Sequence, residues 1–190
     1  MINRKDLVKV FLEKNKQINL SAIRDENWVM LKHIKDSLEL EKIIEWNEWM
    51  KVADVWTGGG FPLMPLAISH PECNFMWIDS VKKKTVAVWE MLNELNVHNV
   101  EMKWSRIEDI KDINFDLITA RAVAYSDKLL NRINPLIKKW GKVALMKQAN
   151  EEEKNVILSE AKRKNLVLET EYHYKLFDGD IDRVIYVLKK

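Results

Sequence analysis

The sequence predicts an α/β fold: a mostly parallel seven-stranded sheet with helices on both faces, an antiparallel C-terminal hairpin and an N-terminal helical extension. Three observations lead there. From Lys51 onward, short apolar runs alternate with segments whose apolar residues recur at helical spacing, the pattern of repeated strand–helix units. The first run ends in Gly58-Gly59-Gly60, where a strand can turn sharply into a helix. The last two runs follow one another with no helix between them, which makes them an antiparallel pair.

The elements follow in chain order. Leu7, Val10, Phe11 and Lys14 give one helical face, which the polar segment from Asn15 breaks. Asp25 is placed to cap a second helix, with Leu31, Ile34 and Leu38 on its apolar face. Residues 51–55 read as a buried strand, 62–69 as a helix with Pro62 in its first turn, and 74–79 as the second strand. Ser80 is expected to cap the next helix, whose core residues are Val88, Met91, Leu92 and Leu95. Strands are expected at 100–104, 115–119 and 142–147. Capping boxes are expected at Ser105/Glu108 and Asn150/Glu153, and the closing strands at 167–176 and 183–188, joined by a turn at 177–181.

A chain of 190 residues with 47% apolar content suits one domain, residues 1–190, divided into a helical extension (1–50) and an α/β core (51–190). A formal net charge of +2 does not demand a polyanionic partner, so any such site must come from local clustering. The single cysteine, Cys73, excludes an intramolecular disulfide and suits a reducing compartment. The four histidines lack metal-ligand spacing, and no metal is expected. Neither a signal peptide nor a run long enough to span a membrane is visible, so the chain reads as soluble and cytoplasmic. Glycine is scarce and tryptophan abundant, at 5 and 8 residues.

In such sheets, ligands bind beyond the carboxyl ends of the strands. The segment Asp54-Val-Trp-Thr-Gly-Gly-Gly-Phe-Pro62 ends the first strand, and Asp79 ends the second about twenty residues further on, well placed to bond ribose hydroxyls. A tight turn and a helix cap would explain the same residues without any ligand. The dinucleotide pattern fails because Leu63 stands where its third glycine belongs. No Gly-Lys-Ser/Thr follows the loop, so a phosphate-gripping P-loop is absent too.

Residues 54–67, Asp-Val-Trp-Thr-Gly-Gly-Gly-Phe-Pro-Leu-Met-Pro-Leu-Ala, resemble the first motif of bacterial 16S ribosomal RNA guanine-N7 methyltransferases. That family is also called glucose-inhibited division protein B, or methyltransferase G of the small ribosomal subunit. Further segments match it in order: Asn19-Leu-Ser-Ala-Ile-Arg24, His33-Ile-Lys-Asp-Ser-Leu38, Ile78-Asp-Ser80 with Lys82 to Lys84, Ser105-Arg-Ile-Glu108, Thr119-Ala-Arg-Ala-Val-Ala124 and Leu145-Met-Lys147. The resemblance implies a Rossmann-like, class I S-adenosylmethionine-dependent methyltransferase with S-adenosyl-L-methionine as cofactor. It implies that Trp56, Gly58 and Phe61 line the methionine and ribose side, that Asp79 holds the ribose, and that Ile107 and Glu108 flank the adenine. Arg121 would reach the cofactor or the RNA. Core packing for Phe61, a capping box for Glu108 and an ion pair for Arg121 are the plainer alternatives.

The implied acceptor is a guanosine of 16S ribosomal RNA, within the small ribosomal subunit or an assembly intermediate, bound by a monomer. Guanine N7 carries a free lone pair and attacks a sulfonium methyl without losing a proton, so no catalytic general base is expected; proximity and alignment suffice. This suits a sequence with no evident nucleophile–base pair. Arg24, Arg121 and Lys147 are the candidate RNA contacts, and His33 is expected to orient the N-terminal helices through Asp36 or Ser37. The chain departs from the family where Trp56, Trp140 and Gln148 stand at or near positions of expected glycines. A non-catalytic RNA- or ribosome-binding module with a degenerate cofactor site stays open as an alternative, as does a methyltransferase with another acceptor.

Overall fold

The computed structural model describes residues 3–56, 58–122, 125–176 and 181–190. The strands are β1 (Lys51–Val55), β2 (Asn74–Asp79), β3 (Val100–Trp104), β4 (Phe115–Arg121), β5 (Ile137–Gln148), β6 (Val167–Leu176) and β7 (Ile181–Lys189). They form one sheet in the order β3-β2-β1-β4-β5-β7-β6. β7 runs antiparallel to both neighbours, while the pairs among β1 to β5 are parallel. The strand order reverses between β1 and β4, which opens a crevice at their carboxyl ends.

Strand periodicity decides which face each residue serves. Val52, Phe75, Trp77, Leu117, Ala144, Met146, Ile185 and Val187 share a core with α1 (Arg4–Ile18), α4 (Leu63–Ser69) and α5 (Lys82–Glu94). Their neighbours Ala53, Met76, Ile78, Ile118, Val143, Leu145 and Tyr186 point to the other face, against α6 (Ser126–Ile133) and α7 (Glu151–Arg163). Between α1 and β1 lie the short helices α2 (Glu26–Val29) and α3 (Asp36–Leu38), joined by a π-helical stretch, Met30–Lys35. Ile34, Leu38 and Leu40 sink into the first core, so the N-terminal extension is packed onto one face of the sheet.

Several local expectations need correction. α1 does not break at Asn15 but continues to Ile18, ending on Asn19 in the left-handed region (φ 55°). Asn15 is buried: its amide donates to the Ser21 and Ile23 carbonyls and its Oδ1 accepts from Ser21 N–H, folding the chain back after the helix. Ser80 does not cap α5; Val81 holds that position, and its N–H donates to Asp79 Oδ1 at 2.8 Å. The Ser105/Glu108 capping box is absent, because Ser105 Oγ donates to the Arg106 carbonyl and a 3-10 turn, Ile107–Asp109, replaces a helix. Asp25 caps as expected, accepting from Trp28 N–H. Asn150 accepts from Glu153 N–H, but the expected box is only half formed, because Glu153 Oε1 accepts from Ser126 Oγ and Lys147 Nζ instead. β5 begins at Ile137, five residues before the expected start at 142, because its register against β4 slips between Phe115 and Leu117. A Cβ on Gly141 in that bend would lie 2.9 Å from the Phe115 carbonyl oxygen, so glycine is required there. Most of the turn expected at 177–181 lies outside the described residues.

Candidate active site

The loop after β1 is fixed from below. Asp54, 1% exposed, accepts from Thr119 Oγ1 and from Leu63 N–H, both at 3.0 Å, tying β1 to β4 and to the start of α4. Burial pushes its carboxyl up to about 8, against the pull of these two donors. Gly60 (φ 88°) packs so closely on Met64 that an added Cβ would lie 2.8 Å from Met64 Cε. Gly58 (φ 59°) is open instead: a Cβ there would meet only Lys84 Nζ, at 3.7 Å. Backbone at Gly58 can therefore be approached by a ligand, as a cofactor loop needs.

Asp79 closes β2 beside this loop, 5% exposed. Among the described residues only its Oδ1 takes a hydrogen bond, from Val81 N–H, which leaves Oδ2 for a ligand hydroxyl. Ile107 is fully buried in the second core, so it offers backbone and a firm floor rather than an exposed face. Glu108 is exposed and pairs with Arg132 Nε at 2.7 Å, and the Arg132 guanidinium lies 5.5 Å from the Trp56 ring. Trp56, Gly58, Asp79 and Glu108 thus border one edge of the sheet, and an open glycine beside a half-used carboxylate fits a nucleoside-bearing cofactor.

Phe61 needs correction. Its ring is 1% exposed and packs at 5.0 Å on Phe11 and 4.7 Å on His33, so it supports the loop from beneath instead of lining the cleft. Arg121 also faces the N-terminal helices. Its guanidinium donates to the Lys32 carbonyl at 2.8 Å and to Asp36 Oδ2 at 3.2 Å, and stands 3.2 Å from His33 Nδ1. Asp36 also accepts from Tyr174 Oη at 2.6 Å and from Arg183 Nε and Nη2 at 3.3 and 3.2 Å. This buried cluster joins α3, β4, β6 and β7.

His33 sits against the cluster, with Nε2 2.9 Å from Ser21 Oγ. Its side chain bonds neither Asp36 nor Ser37; Ser37 Oγ instead donates to the His33 carbonyl. Burial, reinforced by the Arg121 charge, depresses its pKa to about 3. The folded imidazole stays neutral where the unfolded one, near 6.5, takes a proton. Its contribution to stability is therefore complete above pH 6.5 and is lost as pH falls toward 3. Urea midpoints measured from pH 7 to pH 4 should fall less steeply in His33→Gln than in the parent chain; parallel slopes would refute this.

A groove of about 420 Å³ opens beside the cluster, lined by Lys32, His33, Arg121, Gln148 and Arg183 among others. A larger cavity, about 670 Å³, lies at the opposite edge, lined by Lys51, Asn74, Val100 and Phe115 at the strands' amino ends. Open α/β sheets bind ligands beyond the carboxyl ends of their strands, and the smaller groove is the one on that side. Arg24 is exposed and, among the described residues, bonds only Asn19 Oδ1, at 2.8 Å. Lys147 is not a surface contact: it is 7% exposed and its Nζ donates to Glu153 Oε1 at 2.7 Å, which corrects its expected place on the RNA.

Sequence reasoning gave no role to Asp54, Arg183 or Tyr174. Asp54 could have been found as an acidic residue inside an apolar strand run. Arg183 and Tyr174 carry no local signal, because their partner Asp36 is well over a hundred residues away.

A family model described as rRNA small subunit methyltransferase G matches residues 3–179. A ribosomal RNA small subunit methyltransferase G of Thermoanaerobacter sp. (strain X514) is 37% identical over 188 residues, covering 95% of this chain and 78% of that protein. Its counterpart in Listeria innocua is 31% identical over 191 residues, covering 97% and 80%. Among solved structures, a SAM-dependent methyltransferase from Aquifex aeolicus superposes with a TM-score of 0.68 at 19% identity, covering 94% of this chain and 97% of that one. A methyltransferase from Pyrococcus furiosus gives 0.65 at 17%, covering 81% and 79%. At those identities the structures share the fold alone, but the match over nearly the whole sequence places the chain in the rRNA small subunit methyltransferase G family.

Proposed function

We propose that this chain transfers a methyl group from S-adenosylmethionine to N7 of a guanosine in 16S ribosomal RNA. The observation that carries the reading is the open Gly58 loop at the switch point of the sheet with the half-used Asp79 carboxylate at the end of the adjacent strand β2, in a chain of this family. The cofactor supplies an electrophilic methyl on a sulfonium. Asp79 Oδ2 accepts from the ribose hydroxyls, the backbone at Gly58 admits the methionine end, and the turn at Ile107 and Glu108 bounds the adenine. Asp54 and Phe61 hold the loop in place without touching ligand. Guanine N7 attacks through its own lone pair, so alignment is what the site must provide.

The RNA reads onto the groove lined by Lys32, Arg121 and Arg183, with Arg24 on its phosphates. The cluster neutralises Asp36 with two arginines, which leaves the groove wall cationic. Arg24→Ala should weaken RNA binding and reduce the slope of log K against log salt by about 1; an unchanged slope would remove it from the interface. A monomer acting in the cytoplasm on the small subunit or its assembly intermediate completes the reading. Among the described residues, no helix is long and apolar enough to cross a membrane.

The test is transfer of labelled methyl to small subunits that lack the modification, and to naked 16S RNA, followed by nucleoside analysis. Label recovered as 7-methylguanosine supports the reading; label in another nucleoside or in protein overturns it. One observation favours a second reading, a binding module without catalysis. Trp56 stands at the end of β1 with its ring half-buried near Arg132, beside the cofactor loop. Calorimetric titration with S-adenosylmethionine separates the two, since only the enzyme binds it.

A further inference from the structure

Three of the eight tryptophans, Trp49, Trp56 and Trp140, have left-handed backbone, with φ of 64°, 59° and 69°. For L-residues that region is disfavoured because Cβ crowds the carbonyl oxygen, and a bulky side chain there is a genuine outlier. At the few-per-cent rate of ordinary residues, three of eight would arise by chance on the order of once in a thousand chains.

Each site is also one that the backbone assigns to glycine. Trp49 is the third residue of a four-residue turn, closed by Met50 N–H to the Asn47 carbonyl at 3.2 Å, and positive φ at that position ordinarily means glycine. Trp140 lies in the β5 bend where the register slips, next to Gly141, with its N–H donating to the Lys190 carbonyl; a left-handed residue in a bulge is again a glycine position. Trp56 ends β1, its N–H donating to the Ile78 carbonyl, as the chain turns into the cofactor loop. Nor does packing require the rings: Trp49 and Trp140 are 75% and 65% exposed. Other tryptophans behave differently. Trp77 is fully buried in strand geometry, Trp46 stacks on His70 at 4.1 Å, and Trp104 Nε1 donates to the Ser80 carbonyl. Among the other described non-glycine residues with positive φ, Asn19, Asn96, Asn165 and Asp112 are of types that tolerate it, while Ala122 and Tyr125 (φ 55° and 65°) are not.

We propose that positions 49, 56 and 140 are glycine sites and that the chain made in its own cell carries glycine there. The triplet UGA, a stop signal in the standard code, differs from the glycine triplet GGA only in its first base and from the tryptophan triplet UGG only in its last. A chain whose gene uses UGA as sense for glycine therefore reads as tryptophan at those positions when translated with a code that assigns UGA to tryptophan. Assignment to glycine accounts at once for the scarcity of glycine, the excess of tryptophan and the three left-handed tryptophans. It also gives the loop after β1 a residue that lets the cofactor approach at 56, a consequence that rests on the methyltransferase reading.

The test has three arms. The gene should carry UGA at all three positions, and UGG at them would overturn the proposal. Tandem mass spectrometry of peptides from the chain isolated from its source cells should read glycine at 49, 56 and 140; tryptophan there would overturn it. In recombinant protein, Trp49→Gly and Trp140→Gly should each raise the thermal midpoint by about 2–4 °C, while Trp77→Gly lowers it. A fall at 49 and 140 would overturn the claim that the backbone calls for glycine. Trp56→Gly should tighten S-adenosylmethionine binding at least tenfold. If the first two arms read glycine and the tightening is absent, the cofactor reading fails and the glycine assignment stands.

Discussion

Asp36→Ala is expected to cost about 3–5 kcal/mol of folding stability, because it strips two buried arginines of their counter-charge at once. Asp36 is 2% exposed, and the side chains of Arg121 and Arg183 are only 12% and 15% exposed, so solvent cannot replace the lost carboxylate without opening the structure. Tyr174 Oη loses its acceptor in the same change. Because Asp36 on α3 holds partners on β4, β6 and β7, the loss loosens the attachment of the N-terminal helices to the carboxyl edge of the sheet. Asp36→Asn keeps one acceptor but drops the charge, and should fall between the parent and the alanine variant. Urea unfolding at pH 7 measures the effect as a lower midpoint at constant slope. A loss below about 1 kcal/mol would mean that the cluster is solvated and contributes as little as a surface pair. A triple change, Asp36→Leu with Arg121→Met and Arg183→Met, should recover much of the loss, since apolar side chains of similar volume carry no desolvation cost.

The sheet was legible because its information is local. Alternation along β1, β2, β4, β5 and β7 sorts side chains between two cores, and the interruptions at Gly58 to Gly60, Asp79 and Asn150 mark where strands hand over to helices. The family motifs then brought Gly58, Asp79 and Glu108 to one edge of the sheet. Burial is less legible. Phe61, Arg121 and Lys147 lie inside family-like motifs, which say that a residue matters but not which way it points. Phe61 faces Phe11, Arg121 faces Asp36, and Lys147 faces Glu153; each partner is set by packing between elements. Ser105 and Glu108 have the spacing of a capping box, yet the chain is drawn into a 3-10 turn as Ile107 enters the core, and Glu108 turns out to Arg132. Local propensity was overridden there by the burial of one isoleucine. Trp56 and Trp140 were visible as departures from expected glycines, whereas Trp49 became visible only through its backbone angle.

The largest expected effect on function falls on Asp79. Hydrogen bonds from ribose hydroxyls to an ionised acceptor contribute about 1–3 kcal/mol net, so Asp79→Ala should weaken S-adenosylmethionine and its demethylated product by about tenfold to a hundredfold. Both ligands carry the same ribose, so both should weaken equally; a loss confined to the methylated form would place Asp79 near the sulfonium instead. The carboxylate has a second task, since Oδ1 accepts Val81 N–H at the start of α5, where no side-chain cap exists. Losing that bond should cost about 1 kcal/mol of stability, too little to unfold the chain but enough to require titration well below the thermal midpoint. Asp79→Asn retains an acceptor for Val81 and loses the charge, so it separates the two tasks: stability near that of the parent with binding still weakened. Titrations in a Trp56→Gly background remove the ring beside the loop from the comparison. Equal dissociation constants for the parent and Asp79→Ala in that background, from folded samples, would show that the ribose lies elsewhere and that Asp79 serves only to start α5.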